Sequence, residues 1–280
     1  MTQGWKLDHD QIESLLDGVI EAGREVLSIY KRGFSVEYKE DESPLTEADT
    51  AAHHSLVALL RRVTPDIPVL SEEASDIPFA TRRTWQRLWL VDPLDGTKEF
   101  IKQNGEFTLN IALIEQGEPV FGIVHAPVLG TTWWGMKTVG AFKRSAQGET
   151  GINVRRLPRP DEQRPWRVAG SRSHSVGLFE TFVAQLPAHE RTTMGSSIKL
   201  CLVAEGAADL YPRLAPTSEW DTAAAQAVVT AAGGEVLDAC TLAPLTCNRK
   251  ESLLNPYFIV CAERDPRWVE ALAVALKAEC

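Results

Sequence analysis

The chain has 280 residues, enough for one large domain or two modest ones with a sizeable core. Its 44% hydrophobic and 24% charged residues are ordinary for a soluble globular protein. A formal net charge of -9 without a long Lys/Arg run argues against polymeric nucleic acid as a partner, yet it allows a small phosphate where a metal ion carries the local positive charge.

Five cysteines (Cys201, Cys240, Cys247, Cys261 and Cys280) form an odd set without Cys-x-x-Cys spacing, and free thiols in a reducing compartment are the simplest expectation. Residues 1–10 are polar and lack the apolar core of a signal peptide. No apolar segment approaches the length of a membrane span. A cytoplasmic protein is expected, with peripheral association at the inner membrane left open and the assembly either monomer or homodimer.

Taken in chain order, Ile12, Leu15, Leu16, Val19, Ile20, Gly23, Val26, Leu27 and Tyr30 recur at three and four and predict an amphipathic helix ending near Gly33. Residues 36–38 suggest a short strand before a charged hairpin or mobile loop. A second helix opens at residues 43–49 and runs through Ala52, Leu56, Leu59 and Leu60. Thr46 followed by Asp49 is close to a capping box, so a purely structural role for both stays open. His53 and His54 point in different directions on that helix and are assigned no chemistry. Residues 68–70 predict a short strand running into Ser71, Glu72 and Glu73, and residues 74–83 a loop.

An apolar run at 88–91 predicts a buried strand. It gives way to Asp92-Pro93-Leu94-Asp95-Gly96, where Pro93 and Gly96 force a turn and two carboxylates come three residues apart. Pro93 fixes its own φ, so Asp92 and Asp95 project from a stiff backbone. Crowded carboxylates repel unless a cation lies between them, and Mg²⁺ typically takes one or two carboxylates with waters and substrate phosphate. Thr97 supplies a hydroxyl just beyond the turn, where N–H groups can cradle an anion. Read alone, the stretch also fits an ordinary solvated turn.

Strands are predicted at 107–114 and 119–125, joined at Gln116-Gly117, with a third at 131–136 and a fourth at 140–143. Residues 147–163 read as a linker or long hairpin. The second half alternates: a strand at 166–169, a helix at 178–186, a strand at 191–194, then a helix opened by Gly195, Ser196 and Ser197. A strand at 208–211 has Arg213 just beyond it. Residues 219–222 begin an Ala-rich helix closed by Gly233-Gly234, a strand follows at 235–237, and Asp265-Pro266 starts a final helix through Trp268, Leu272 and Leu276. Asp221, near a helix start, is open to a simple capping role.

The run Trp89-Leu-Val-Asp92-Pro-Leu-Asp95-Gly-Thr97, with Leu70-Ser-Glu72-Glu73 before it and Trp220-Asp221-Thr-Ala-Ala224 after it, resembles the metal motifs of the inositol-monophosphatase superfamily. Lys98-Glu99-Phe100, Gly105-Glu106-Phe107-Thr108, Ser171-Arg-Ser-His174, Gly195-Ser-Ser-Ile-Lys199 and Tyr211-Pro-Arg213 are most similar to its CysQ-type 3'(2'),5'-bisphosphate nucleotidases. The resemblance implies a layered α-β-α-β-α sandwich of the α/β (α+β) class and a lithium-sensitive, Mg²⁺-dependent phosphomonoesterase using two or three ions. It further implies that Glu72, Asp92, Asp95, the Leu94 carbonyl and Asp221 hold metal, and that Thr97 and Asp49 activate the attacking water. Residues 1–157 would form an N-terminal domain with most metal ligands, and residues 158–280 a C-terminal domain with Asp221 and the specificity residues.

The chemistry is coherent in its own right. Two ions about 4 Å apart can clamp the attacking and leaving oxygens of an in-line displacement. A threonine hydroxyl both donates and accepts, so Thr97 can relay a proton to Asp49. Glu72 joins Asp49 and Thr97 as a candidate catalytic residue, and the N–H groups of Gly96 and Thr97 can face the phosphate. A nucleophilic serine is disfavoured, because Gly195-Ser196-Ser197 lacks the Gly-x-Ser-x-Gly elbow. Lys199 and Arg213 can neutralise a second phosphate, Ser196 and Ser197 can add donors, and His174 can bond or stack near a nucleotide; surface charges and plain helix caps are the alternatives. The expected reaction is conversion of adenosine 3',5'-bisphosphate to AMP and phosphate, tied by the resemblance to sulfate assimilation. Inositol- or sugar-phosphate hydrolysis, a non-catalytic regulatory binding protein and a Mg²⁺-bridged structural oligomer are its rivals.

Overall fold

The computed structural model describes residues 6–38, 44–171, 177–277 and 279. Helix α1 (His9–Arg32) begins in a reciprocal capping box, Asp8 accepting the Gln11 N–H at 2.8 Å while the Gln11 side chain accepts the Asp8 N–H at 3.0 Å. It stops at Gly33, whose φ of +86° suits a residue without Cβ. A two-stranded ribbon, β1 (Val36–Tyr38) and β2 (Pro44–Thr46), leads into α2 (Glu47–Val63).

The next strands are β3 (Val69–Ser71), β4 (Arg87–Asp95), β5 (Thr108–Glu115), β6 (Glu118–Ala126), β7 (Thr131–Met136), β8 (Gly140–Ser145) and β9 (Gly148–Ile152). Between them lie the single turns α3 (Phe79–Arg82) and α4 (Thr97–Ile101). These strands form one seven-stranded sheet in sequence order, parallel only between β3 and β4. The chain continues through β10 (Trp166–Gly170), α5 (Leu178–Val183), β11 (His189–Thr193), α6 (Ile198–Ala204), β12 (Leu210–Arg213), α7 (Glu219–Ala231), β13 (Glu235–Asp238), β14 (Phe258–Cys261) and α8 (Pro266–Ala275). Its five strands make a second sheet in the order β11-β10-β12-β14-β13.

Alternation along the strands builds the layers. On β4, Trp89 and Val91 face α1 and α2, whereas Leu88 and Leu90 face α6 and α7. On the second sheet, Tyr211 and Val260 join that middle layer, while Val168, Leu210 and Ile259 pack against Phe182 of α5 and Trp268 and Leu272 of α8. The result is the α-β-α-β-α order expected from the sequence.

The middle layer is unusually thin where α7 crosses the first sheet. A Cβ placed on Gly122 of β6 would lie 2.2 Å from the Ala224 carbonyl oxygen, and one on Gly135 of β7 would lie 2.8 Å from the Val228 Cα. Ala223, Ala224, Ala225 and Ala227 complete the seam from the helix side. Strand glycines that weaken a sheet in isolation here admit a helix backbone into contact with it.

Several elements depart from the sequence reading. Residues 79–82 are a helical turn rather than loop, because buried Arg82 is tied through its guanidinium to Asn248 Oδ1 at 2.6 Å and to the Lys250 and Glu251 carbonyls. Residues 148–152 hairpin back on β8 as β9, in keeping with the hairpin alternative for 147–163, whereas β14, unforeseen, is an apolar run buried throughout. Cys201, Cys247 and Cys261 are free, as expected, and all three are buried, but Cys240 is in a disulfide, which corrects the expectation of free thiols throughout; Cys280 lies outside the described residues.

His125 staples α1 to the sheet. It is 5% exposed, its Nδ1 shares a hydrogen bond with Thr132 Oγ1 at 2.8 Å, and a Cβ on Gly23 of α1 would touch its ring at 2.4 Å. Burial lowers its pKa to about 4. A histidine that binds its proton less tightly folded than unfolded contributes stability above pH about 6.5 that is lost as pH falls toward 4, up to about 3 kcal/mol. Thermal unfolding followed from pH 7 to 4 should decline over that window, and less steeply for His125→Gln; an unchanged slope in the variant would remove His125 as the cause.

Candidate active site

The centre of the site is an irregularity in β4. Its pairing with β5 is regular up to Asp92↔Asn110 and resumes at Asp95↔Thr108, three residues on one strand against two on the other. In an unbroken strand Asp92 and Asp95 would face opposite sides of the sheet; the extra residue of this bulge turns both toward the side of Asn110 and Thr108. The Asp92 carboxylate accepts the Leu94 N–H at 3.0 Å and pins the bulge. The strand therefore continues to Asp95 instead of turning at Pro93, and the change of direction falls at Gly96, with φ of +95°.

Two other elements complete the cluster. The Glu72 N–H donates to the Val91 carbonyl at 3.0 Å, setting Glu72 beside Asp92 at the end of β3. Asp221 enters from α7 as the third helical residue, not the cap: Ser218 is the cap, and its N–H donates to Asp221 Oδ2 at 2.9 Å. Oxygens of Glu72, Asp92 and Asp221 all lie within 4.8 Å of one another. Burial, then Glu72, Asp95 and Asp221, pushes the Asp92 carboxyl well above the usual carboxylate range, and burial with Asp95 does the same to Asp221. Asp95 is also raised, by burial, against the opposing pull of Lys199 and the Ser197 N–H that donates to its Oδ2. Three anionic oxygens gathered without a balancing cation are unfavourable in themselves and chemically suited to a hard metal ion, so the donor set fits one.

Asp49 uses its two oxygens differently. Oδ2 accepts the Thr46 N–H at 2.7 Å and the Thr46 hydroxyl at 2.6 Å, closing the capping box of α2. Oδ1 accepts from Thr97 Oγ1 at 3.1 Å. The cap and the Thr97 pairing, alternatives in the sequence, coexist on one buried carboxylate. Thr97 Oγ1 also lies 3.2 Å from the Leu94 carbonyl, and its single hydrogen can serve one of the two acceptors at a time. Burial raises the Asp49 carboxyl and the Thr46 hydrogen bonds oppose that rise.

A cleft of about 200 Å³ adjoins this basin, sharing Asp95, Gly96 and Asp221 with it and lined further by Lys98, Lys102, Ser196, Lys199 and Arg213. Lys199 is not a surface charge. It is 4% exposed, its Nζ donates to the carbonyls of Met194 at 3.1 Å and Ser196 at 2.6 Å, and burial lowers its pKa to about 8. Arg213 sits inside β12 rather than beyond it, donating to the Pro216 carbonyl at 2.9 Å. Ser197 also lines the cleft, while its hydroxyl donates to Asn110 Oδ1 at 2.9 Å and lies 2.8 Å from Thr108 Oγ1. It caps α6 in helical conformation without a side-chain cap bond. Ser196 lines the cleft with φ of +49°. His174 lies outside the described residues.

Sequence reasoning gave no role to Glu106, Thr108 or Asn110. The signal was present for the last two, which are polar positions two apart in an otherwise apolar strand and so share its face.

The family model of the inositol monophosphatase family matches residues 9–276. The chain belongs to the inositol monophosphatase family. Among its family relatives, the 3'(2'),5'-bisphosphate nucleotidase CysQ of Salmonella typhimurium is 50% identical over 242 residues, which covers 85% of this chain and 94% of that protein. The CysQ of Escherichia coli K12 is 48% identical over the same length and coverage. The crystal structure of CysQ from Bacteroides thetaiotaomicron superposes with a TM-score of 0.77 at 45% identity, covering 90% of this chain and 97% of that one. An inositol monophosphatase of Thermotoga maritima shares the family fold at a TM-score of 0.74 and 23% identity, covering 96% of this chain and 97% of that one. Among the described residues no helix is long and apolar enough to cross a membrane.

Proposed function

We propose that this chain is a Mg²⁺-dependent phosphomonoesterase that converts adenosine 3',5'-bisphosphate and water to AMP and phosphate, with the place in sulfate assimilation that its sequence resemblance implies. One observation carries the reading: a trio of carboxylates within 4.8 Å opens directly onto a cleft that holds Lys199 and Arg213. Its chain is 50% identical to a protein named 3'(2'),5'-bisphosphate nucleotidase.

Glu72, Asp92, Asp95, Asp221 and the Leu94 carbonyl would hold two or three ions, which when bound supply Lewis-acid charge to acidify a water and neutralise the leaving oxygen. Thr97 orients that water, and its hydroxyl passes the proton lost on attack to Asp49 Oδ1, the oxygen not committed to capping α2. The raised proton affinity of the buried Asp49 favours this transfer. Water oxygen bonds to phosphorus as the ribose 3'-oxygen departs, and no covalent phosphoenzyme is required. Gly96 and Thr97 N–H groups face the transferred phosphate, and Lys199 with Arg213 receives the second one.

Phosphate release measured in parallel from adenosine 3',5'-bisphosphate, inositol 1-phosphate and fructose 1,6-bisphosphate tests the reading, with EDTA and lithium as controls. The nucleotide should be strongly preferred and both controls should suppress its hydrolysis. Preference for either other substrate would discard the pocket assignment while keeping the metal site. Thr97→Val should lower turnover on the order of 10²–10³-fold with little change in melting temperature, because the hydroxyl relays a proton and caps nothing.

A further inference from the structure

Two runs that distinguish the sequence, Lys98-Glu99-Phe100 and Gly105-Glu106-Phe107-Thr108, are not absorbed by the metal site. Phe100 and Phe107 pack edge to face with centroids 4.9 Å apart, and Tyr30 of α1 closes on both at 5.0 and 5.1 Å. This aromatic cluster makes a firm base under the segment between α4 and β5. Glu106 rises from it, its own N–H donating to Asn104 Oδ1 at 2.9 Å.

The Glu106 carboxylate reaches across to the second half of the chain, where Oε2 accepts the Gly195 N–H at 2.8 Å. Gly195 is seated on this support: a Cβ there would lie 2.7 Å from the Glu106 carbonyl oxygen and 2.8 Å from Glu99 Cγ. Its neighbours, Met194 and Ser196, offer the two carbonyls that hold the Lys199 ammonium. Ser196 is left-handed without being glycine, a conformation the surroundings must impose. Among the described residues, two of the three ammonium donors of Lys199 are thus committed to the turn, and the turn is pinned by Glu106.

We propose that Glu106 is a positioning residue for the second phosphate: by holding the Gly195 N–H it fixes the 194–199 turn whose carbonyls aim the Lys199 ammonium into the cleft. The inference rests on the reading above that Lys199 receives that phosphate. Glu106 itself need not touch substrate.

The test compares steady-state kinetics on adenosine 3',5'-bisphosphate and on adenosine 3'-monophosphate, which lacks the second phosphate. Glu106→Ala should raise KM for the bisphosphate roughly tenfold, the worth of one hydrogen bond to a charged group, with kcat within about twofold. Its kcat/KM on the monophosphate should be unchanged. Glu106→Gln, whose amide oxygen still accepts from Gly195, should restore most of the lost affinity. Glu106→Asp keeps the charge but is one methylene short, so it should behave like the alanine variant and decides the matter if the latter does not fold. The Gly195 amide proton resonance should shift upfield in the alanine and aspartate variants and stay in place in the glutamine one. Lys199→Met provides the separation. If it does not raise the bisphosphate KM, the phosphate reading falls and takes the proposal with it. If it does while Glu106→Ala and Glu106→Asp do not, only the role of Glu106 is overturned. Equal losses on both substrates by a folded Glu106 variant would also overturn it.

Discussion

Asp92→Asn is expected to remove phosphate release on the order of 10³-fold while raising the melting temperature of the metal-free protein. The two effects have one origin. Asp92 is 1% exposed and faces Glu72, Asp95 and Asp221, so its negative charge is unfavourable in the fold whenever no cation balances it. Asparagine keeps the oxygen that accepts the Leu94 N–H, so the bulge in β4 should survive. What disappears is one like charge among several, a relief of about 2–4 °C for each kcal/mol regained. Scanning calorimetry in EDTA and in excess Mg²⁺ reads both sides: the wild type should be stabilised by Mg²⁺ and the variant much less. Full activity, or a lower melting temperature in EDTA, would mean that the trio does not serve as a metal site.

The second large effect is expected from a residue with no functional group. Gly122→Ala puts a methyl 2.2 Å from the Ala224 carbonyl oxygen, a backbone atom that cannot rotate aside. Either α7 lifts from the sheet or β6 buckles, at about 1–3 kcal/mol or somewhat more. Ala224 is one turn from Asp221, so a shift of the helix misplaces that carboxylate against Glu72 and Asp92. A displacement of roughly 1 Å can cost on the order of 10²-fold in rate. Both the melting temperature and the Mg²⁺ concentration needed for half-maximal activity should therefore worsen together. Wild-type metal dependence in a destabilised Gly122→Ala protein would show that the seam sets stability without setting the site.

The contrast with the sequence reading is instructive residue by residue. Helices α1, α2, α7 and α8 were legible because apolar periodicity and caps are local signals, and the acidic residues were legible because each ends or opens an element. The Thr46–Asp49 spacing announced a capping box but could not reveal that the second oxygen of Asp49 meets Thr97, 48 residues away. Lys199 reads as a phosphate ligand with a surface charge as the alternative, and that alternative stands in the sequence because nothing in its neighbours records that two carbonyls enclose it. The Glu106 bond to Gly195 spans 89 residues and joins a side chain to a backbone N–H, an interaction with no compositional trace. Strand β14 is not marked in the sequence although its four residues are apolar, since periodicity cannot tell so short an apolar run from a buried helical turn.

The bulge in β4 has a further consequence. Pro93 and Leu94 contribute no charged group, and the direction of Asp95 depends on how many residues separate it from Asp92 rather than on which they are. One residue added opposite them, between Thr108 and Asn110, would restore an even ladder and swing Asp95 to the helix α2 side of the sheet, away from Asp221, with every acidic residue still present in the chain. The spacing behaves like a reading frame: substitutions within it can be absorbed, whereas one residue more on the facing strand changes which side of the sheet Asp95 addresses.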